Sequence, residues 1–165
     1  MEIQFTSKKV GELLKEGNLR IPSYQRPYKW NRKHIRNLFY DLRDAMGKKE
    51  YQIGSVILHE NDGYLDIVDG KHVYLDIVDG QQRLISISLF LHLLDDLENY
   101  KGANQLLSAE FGEISCYHAS ENYNEWENLT QLVGENQAKD ICNFLLENCS
   151  VSVITMPQKR LSEAF

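Results

Sequence analysis

The sequence predicts an α+β fold in which a small mixed sheet is packed with helices. Three observations predict it. Short runs rich in Ile and Val fall at 52–58, 74–78 and 151–156, the pattern of strands. Residues 31–46 and 82–98 repeat apolar positions at helical spacing. The chain has 165 residues, 42% of them hydrophobic and 25% charged, which suits one globular unit with a real core. Residues 1–165 are therefore read as a single domain.

Thr6 or Ser7 stands where a side chain would cap a short helix carrying Val10, Leu13 and Leu14, with Gly17 beyond its end. The segment from Ile21 to Trp30 holds Pro22 and Pro27 and cannot be helix interior. Asn31 caps an amphipathic helix with Ile35, Leu38, Phe39, Leu42 and Met46 on its apolar face, and Gly47 ends it. Tyr51 to Leu58 reads as a strand and Asn61-Asp62-Gly63 as a turn. Residues 74–78 are the next strand. The helix that follows puts Leu84, Ile87, Leu91 and Leu94 on one face. Gly102 to Cys116 reads as a polar connection with some helical character. Trp126, Leu129, Leu132 and Val133 mark another helix, and Ala138, Ile141, Cys142, Leu145 and Leu146 one more. Val151 to Met156 is a last strand. Lys159 to Phe165 opens a helix with no stop signal, so the sequence reads as a C-terminally truncated piece of a longer chain.

Tyr64-Leu65-Asp66-Ile67-Val68-Asp69-Gly70 recurs identically as Tyr74-Leu75-Asp76-Ile77-Val78-Asp79-Gly80. The offset is far too short for a solenoid unit. Only the second copy runs into Gln81-Gln82-Arg83 and a helix. Chemistry is therefore placed at the second copy, and 64–73 is read as a duplicated insertion, an edge strand or displaced loop. The offset is even, so both copies present the same faces and can compete for one strand position.

Net charge is −6, divided unevenly. Residues 1–49 carry 12 Lys/Arg against 5 Asp/Glu, and residues 50–165 carry 6 against 19. The acidic total argues against this chain alone wrapping a nucleic-acid backbone. The basic segment is either a solvated helix face or a source of positive charge for a phosphate. Cys116, Cys142 and Cys149 form no CxxC pair, so neither a disulfide framework nor a structural zinc is expected. Cys142 and Cys149 read as small core hydrophobes. His34, His59, His72, His92 and His118 show no metal-ligand spacing. Asp95, Asp96 and Glu98 read as a solvated helix face. No apolar run approaches the length of a membrane span, and Met1 to Leu14 has no signal-peptide core, so a cytoplasmic protein without membrane contact is expected.

Two segments could carry chemistry. In Ile77-Val78-Asp79-Gly80-Gln81-Gln82-Arg83-Leu84 an apolar strand ends and a helix opens at once. Helix N-termini offer unpaired N–H groups to a phosphate. Gly80 lets the backbone approach closely, Arg83 offers a planar fork for phosphate oxygens, and Asp79 could hold a hard cation such as Mg²⁺. An Asp-Gly after a strand is also, commonly, just a turn. In Pro22-Ser23-Tyr24-Gln25-Arg26-Pro27-Tyr28-Lys29-Trp30 the aromatics could stack on a base and Arg26 could reach a phosphate. The plainer reading is a loop packed by its own aromatics against the following helix.

Together these two motifs, in this order, resemble the N-terminal domain of GmrSD-type modification-dependent restriction endonucleases, which is itself similar to ParB and sulfiredoxin folds. The resemblance spans essentially the whole chain. The Tyr64–Gly70 copy departs from the family pattern, and the family's Asn-Arg-Gly element and C-terminal HNH-type nuclease region are absent here. The resemblance implies an NTP-binding and NTP-hydrolysing module that licenses DNA cleavage in phage defence. It implies Mg²⁺ and a nucleoside triphosphate as cofactors, an HNH-type nuclease region or subunit as partner, and DNA reached through the full-length protein. Tyr24, Gln25, Arg26, Gly80 and Gln81 would bind the nucleotide, and Asp79, Gln82 and Arg83 would act on it, with Asp79 at the metal. The alternative is a nucleotide- or DNA-sensing ParB-like switch without turnover. A direct DNA nuclease is a weaker third reading.

Overall fold

The computed structural model describes residues 3–22, 26–62, 73–108 and 113–157. Strand β1 (Gln4–Lys9) leads directly into helix α1 (Val10–Leu14), and β2 is the two-residue strand Leu19–Arg20. Helix α2 (Arg32–Ala45) precedes the long strand β3 (Tyr51–Asp62), and β4 (Val73–Asp79) leads into α3 (Gln81–Leu93). After a 3-10 turn at Leu97–Asn99 come α4 (Lys101–Ser108), α5 (Glu113–Val133), α6 (Glu135–Glu147) and β5 (Cys149–Met156). Among the described residues the strands form one sheet in the order β1-β5-β3-β4-β2. The β1–β5 and β3–β4 pairs are antiparallel, and the β5–β3 and β4–β2 pairs are parallel. The fold is thus α+β with a mixed sheet.

The sheet is larger than the three predicted strands. Thr6 and Ser7 cap nothing: they lie inside β1, paired with Val153 and Ser152, and Lys9 holds the position before α1 without a side-chain cap. Strand β1 is an edge whose residues are mostly exposed, so it carries little of the apolar alternation by which strands are recognised. Asn61 and Asp62 do not turn. They extend β3, with Asn61 opposite Tyr74 and Asp62 opposite Val73. The polar connection expected from Gly102 contains α4, which buries Gly102, Ala103 and Leu106. Asp95 and Asp96 lie past the last turn of α3 rather than on its face, with Asp95 at φ 59°. The first repeat copy, Tyr64–Gly70, and the helix expected over Lys159–Phe165 lie outside the described residues.

Strand pairing builds the buried side of the sheet. Val56 faces Val153 and Leu58 faces Ile77, and with Val151 these side chains are at most 2% exposed. The side chain of Asn31 accepts from the backbone N–H groups of Lys33 and His34, and His34 Nδ1 accepts from Asn31 N–H at 3.1 Å, a closed capping box. Helix α2 then buries Ile35, Leu38, Phe39, Leu42 and Ala45. Met46, expected on that face, lies beyond the helix end and is exposed. Leu132, expected inside, is 69% exposed on the last turn of α5.

Helix α3 is buried nearly all round, not along one stripe: Ile85, Leu89 and Phe90 are as enclosed as Leu84, Ile87 and Leu91. Its two serines survive burial because each returns its hydroxyl to the carbonyl four residues earlier, Ser86 to Gln82 and Ser88 to Leu84, both at 2.8 Å. Trp126 of α5 stacks on Phe90 with centroids 4.2 Å apart and donates its indole N–H to the Ser86 carbonyl at 2.9 Å. Phe39 of α2 meets the same indole edge-on. One tryptophan therefore ties α2, α3 and α5 together.

Candidate functional site

The β4–α3 junction and the loop from Arg26 to Trp30 face one another across a cleft of about 510 Å³. Arg26, Lys29, Trp30, His34, Ser55, Asp79, Gly80, Gln81, Gln82 and Arg83 line it, together with Pro27. The structure thus brings together Arg26 and the whole stretch from Asp79 to Arg83. Tyr24 and Gln25 lie outside the described residues.

Gly80 is what lets the strand become a helix here. Its φ is 100°, and a Cβ at this position would press on the carbonyl of Ser55 and on Val56. It occupies the N-cap of α3 with no side-chain cap. The first-turn N–H groups have no intrahelical partners, and the positive end of the helix dipole opens towards the cleft.

Arg83 lies in that first turn. Its guanidinium sits against the backbone of Gly54, where a Cβ would collide with Nη1. Gly54 has φ 150° and falls where the β3–β5 register shifts, so a glycine bulge makes room for the arginine. The guanidinium carbon is 5.7 Å from the Trp30 ring centroid. Burial pulls the Arg83 pKa down, while the charges of Asp79 and Tyr51 pull it back up. Arg83 is half-buried and has no ion-pair partner within 4.0 Å among the described residues. A cation removed from water without a partner anion is costly, and an anion entering the cleft would relieve that cost.

The two glutamines hold the loop. Gln81 Nε2 donates to the Arg26 carbonyl at 2.6 Å, and its Oε1 is buried without a hydrogen-bond partner. Gln82 Oε1 accepts from the backbone N–H groups of Lys29 at 2.8 Å and Trp30 at 3.2 Å, and its Nε2 donates to the Pro27 carbonyl at 3.2 Å. From below, Tyr28 is 2% exposed, and its phenol meets Ser86 Oγ at 2.6 Å and accepts from Asn122 Nδ2 at 2.7 Å. Asn122 also donates to the Trp30 carbonyl at 2.6 Å. Burial raises the Tyr28 pKa, partly offset by the hydrogen bonds to Ser86 and Asn122, so the phenol stays protonated. Tyr28 is therefore a core anchor and is not free to stack on a base. Trp30 stacks on His34 of α2 at 5.1 Å, which matches the reading of a loop packed by its own aromatics.

Asp79 is the one carboxylate among the residues lining the cleft, and it is exposed at the end of β4. Among the described residues no group of three or more His, Cys, Asp or Glu could hold a metal by itself. Mg²⁺ commonly takes one or two carboxylates, several waters and substrate phosphates, so Asp79 alone is compatible with it. Ser55, His34 and Gly54 were not singled out in the sequence. Only Gly54 left a signal, a glycine inside a strand run. No helix among the described residues is long and apolar enough to cross a membrane.

The sequence profile of the family described as GmrSD restriction endonuclease, N-terminal domain, matches residues 10–163. No curated protein matches the chain.

Proposed function

We propose a nucleotide-binding role for this cleft from one premise: the chain belongs to the family of GmrSD restriction endonuclease N-terminal domains. That membership assigns it to a restriction system acting on DNA. Within such a system, we propose that the cleft takes the triphosphate of a nucleoside triphosphate with Mg²⁺ and hydrolyses it, coupled to an HNH-type nuclease region in the cytoplasm. The observation that carries this reading is Arg83: a half-buried guanidinium without an ion pair among the described residues, at the uncapped start of a helix. Arg26 and Lys29 add charge from the facing loop. Phosphoryl transfer rests mainly on positioning and electrostatic stabilisation, and these are what the cleft offers. Arg83 and the first-turn N–H groups would hold phosphate oxygens, Asp79 would take Mg²⁺ directly or through water, and Gln81 and Gln82 would keep the loop in place. Bound Mg²⁺ would neutralise phosphate charge.

One observation supports the alternative of a switch without turnover. Gln82 Oε1 already accepts from two loop N–H groups, which leaves it no lone pair to accept from an attacking water. In that reading, nucleotide occupancy would reposition the loop. Phosphate release from each of the four NTPs with Mg²⁺, measured beside binding by calorimetry, separates the two. Binding with release supports the NTPase, binding without release supports the switch, and no binding refutes both.

A further inference from the structure

A second cavity of about 230 Å³ adjoins the cleft, and the two share Trp30, His34 and Arg83 as a common wall. Its other walls come from α2 and the start of β3: Asn37, Leu38 and Asp41, then Tyr51, Gln52 and Ile53. The two chambers differ in charge. The cleft has Arg26, Lys29 and Arg83 around a single carboxylate. Among the described residues the second cavity has Arg83 as its single Lys/Arg, at the shared wall, and faces it with Asp41. A carboxylate there repels phosphate, while Trp30, Tyr51 and Ile53 offer surface suited to a flat ring.

Its donors, the Trp30 indole and the Arg83 guanidinium, sit at the shared wall, and acceptors lie away from it. Asp41 is exposed and has no ion pair or hydrogen bond among the described residues. Gln52 Nε2 donates to the Gly54 carbonyl at 3.1 Å and to Ser152 Oγ at 2.8 Å, which fixes the amide and leaves Oε1 as an acceptor. Asn37 can donate or accept.

We infer that this second cavity is the nucleobase subsite of the cleft and that it favours guanine, with Asp41 accepting from the base. The inference rests on the nucleotide reading above. Guanine carries two adjacent N–H donors, at N1 and N2, which one carboxylate accepts together. Adenine, cytosine and uracil have no such pair. Guanine alone gains two charge-assisted hydrogen bonds to this carboxylate, which the other three bases cannot both make. The ribose would span the shared wall beside Arg83.

The test is calorimetry on the whole chain with GTP, ATP, CTP, UTP and xanthosine triphosphate, each with Mg²⁺. GTP is expected to bind at least about tenfold tighter than the other three common nucleotides. Asp41→Asn replaces a pure acceptor with a side chain that also donates. It should abolish the GTP preference and bring a gain for xanthosine triphosphate, whose C2 carbonyl accepts where the N2 amino group donates. Asp41→Ala should abolish the preference with no such gain, and both variants should keep the circular dichroism of the parent. Equal binding of all four NTPs, or a preference unmoved by Asp41→Asn, overturns the base subsite and leaves the phosphate site standing. Binding of no nucleotide overturns the nucleotide reading itself and this inference with it.

Discussion

Arg83 lies so close to the backbone of Gly54 that no side chain could stand between them. The two residues come from different elements, a bulged strand and the first turn of a helix, and each explains the other. Gly54→Ala should therefore act twice. It strains a φ of 150° and pushes the guanidinium out of its seat. We expect a loss of about 1–3 kcal/mol in urea unfolding, together with NTP binding weakened roughly tenfold. The binding losses of Gly54→Ala and Arg83→Ala should not add, because both remove the same contact. Additive losses in the double mutant would contradict the coupling.

Arg83→Ala alone should remove a charge-assisted contact worth about 1.5–3 kcal/mol, weakening NTP binding ten- to hundredfold. Arg26→Ala should act in the same direction. Neither should destabilise the fold, because Arg83 has no ion pair among the described residues and Arg26 faces the cleft. Unchanged affinity in both variants would show the site to be misplaced.

Gln82→Leu should free the loop without emptying the core. It removes two acceptor contacts and one donor contact to the backbone of Pro27, Lys29 and Trp30. Amide hydrogen exchange at Lys29 and Trp30 should quicken, while exchange in β3 and β5 stays slow. Tyr28→Phe should be the costlier change. It leaves Asn122 and Ser86 short of a partner in the interior, a loss of about 1–3 kcal/mol. Stability equal to the parent's would mean that the phenol network contributes nothing.

Burial pushes both the Cys142 and Cys149 thiols from 9.0 up to about 12. For Cys142 the Asp96 charge adds to burial, and for Cys149 Lys9 works against it. Exposed Cys116 should be the thiol that reacts readily with Ellman's reagent at pH 8, with all three reacting after unfolding. The raised values also set a sign. Both thiols hold their protons in the fold and lose them more easily when unfolded. Their contribution is intact below the unfolded value and is lost as pH rises towards about 12. Replacing both by Ala should flatten the fall of stability across that alkaline range.

Deleting residues 64–73 should leave the fold intact or more stable. Asn61 and Tyr74 are already cross-strand partners, and the deletion joins them through Asp62-Gly63 alone. A two-residue Asp-Gly loop is the preferred chemistry of a tight β-hairpin. A large drop in melting temperature would refute this.

Much of the framework was legible because local chemistry carried it. Asn31 and the spacing of Ile35, Leu38, Phe39 and Leu42 announced α2, and the run ending in Asp79-Gly80 announced the strand-to-helix junction where the cleft lies. What stayed hidden depends on partners distant in sequence. Strand β1 owes its conformation to pairing with β5 at the other end of the described chain. The hold of Asn122 on Tyr28 and Trp30 spans most of the domain and follows no motif. The face of α3 was underestimated because Ser86 and Ser88 looked polar, whereas each satisfies its hydroxyl within the helix. Gln81 and Gln82 were read as groups for the ligand, and their hydrogen bonds show them gripping the loop.

The pairing of Asn61 with Tyr74 also bears on how such a repeat persists through evolution. Asp62 and Val73, on either side of the intervening segment, are already paired across β3 and β4. Because the copies are identical, an in-frame loss of one restores an unbroken reading of strand, Gly80 and helix in a single mutational event. Drift in the first copy alone, with Tyr74–Gly80 held constant, would be the mark left in descendant genes.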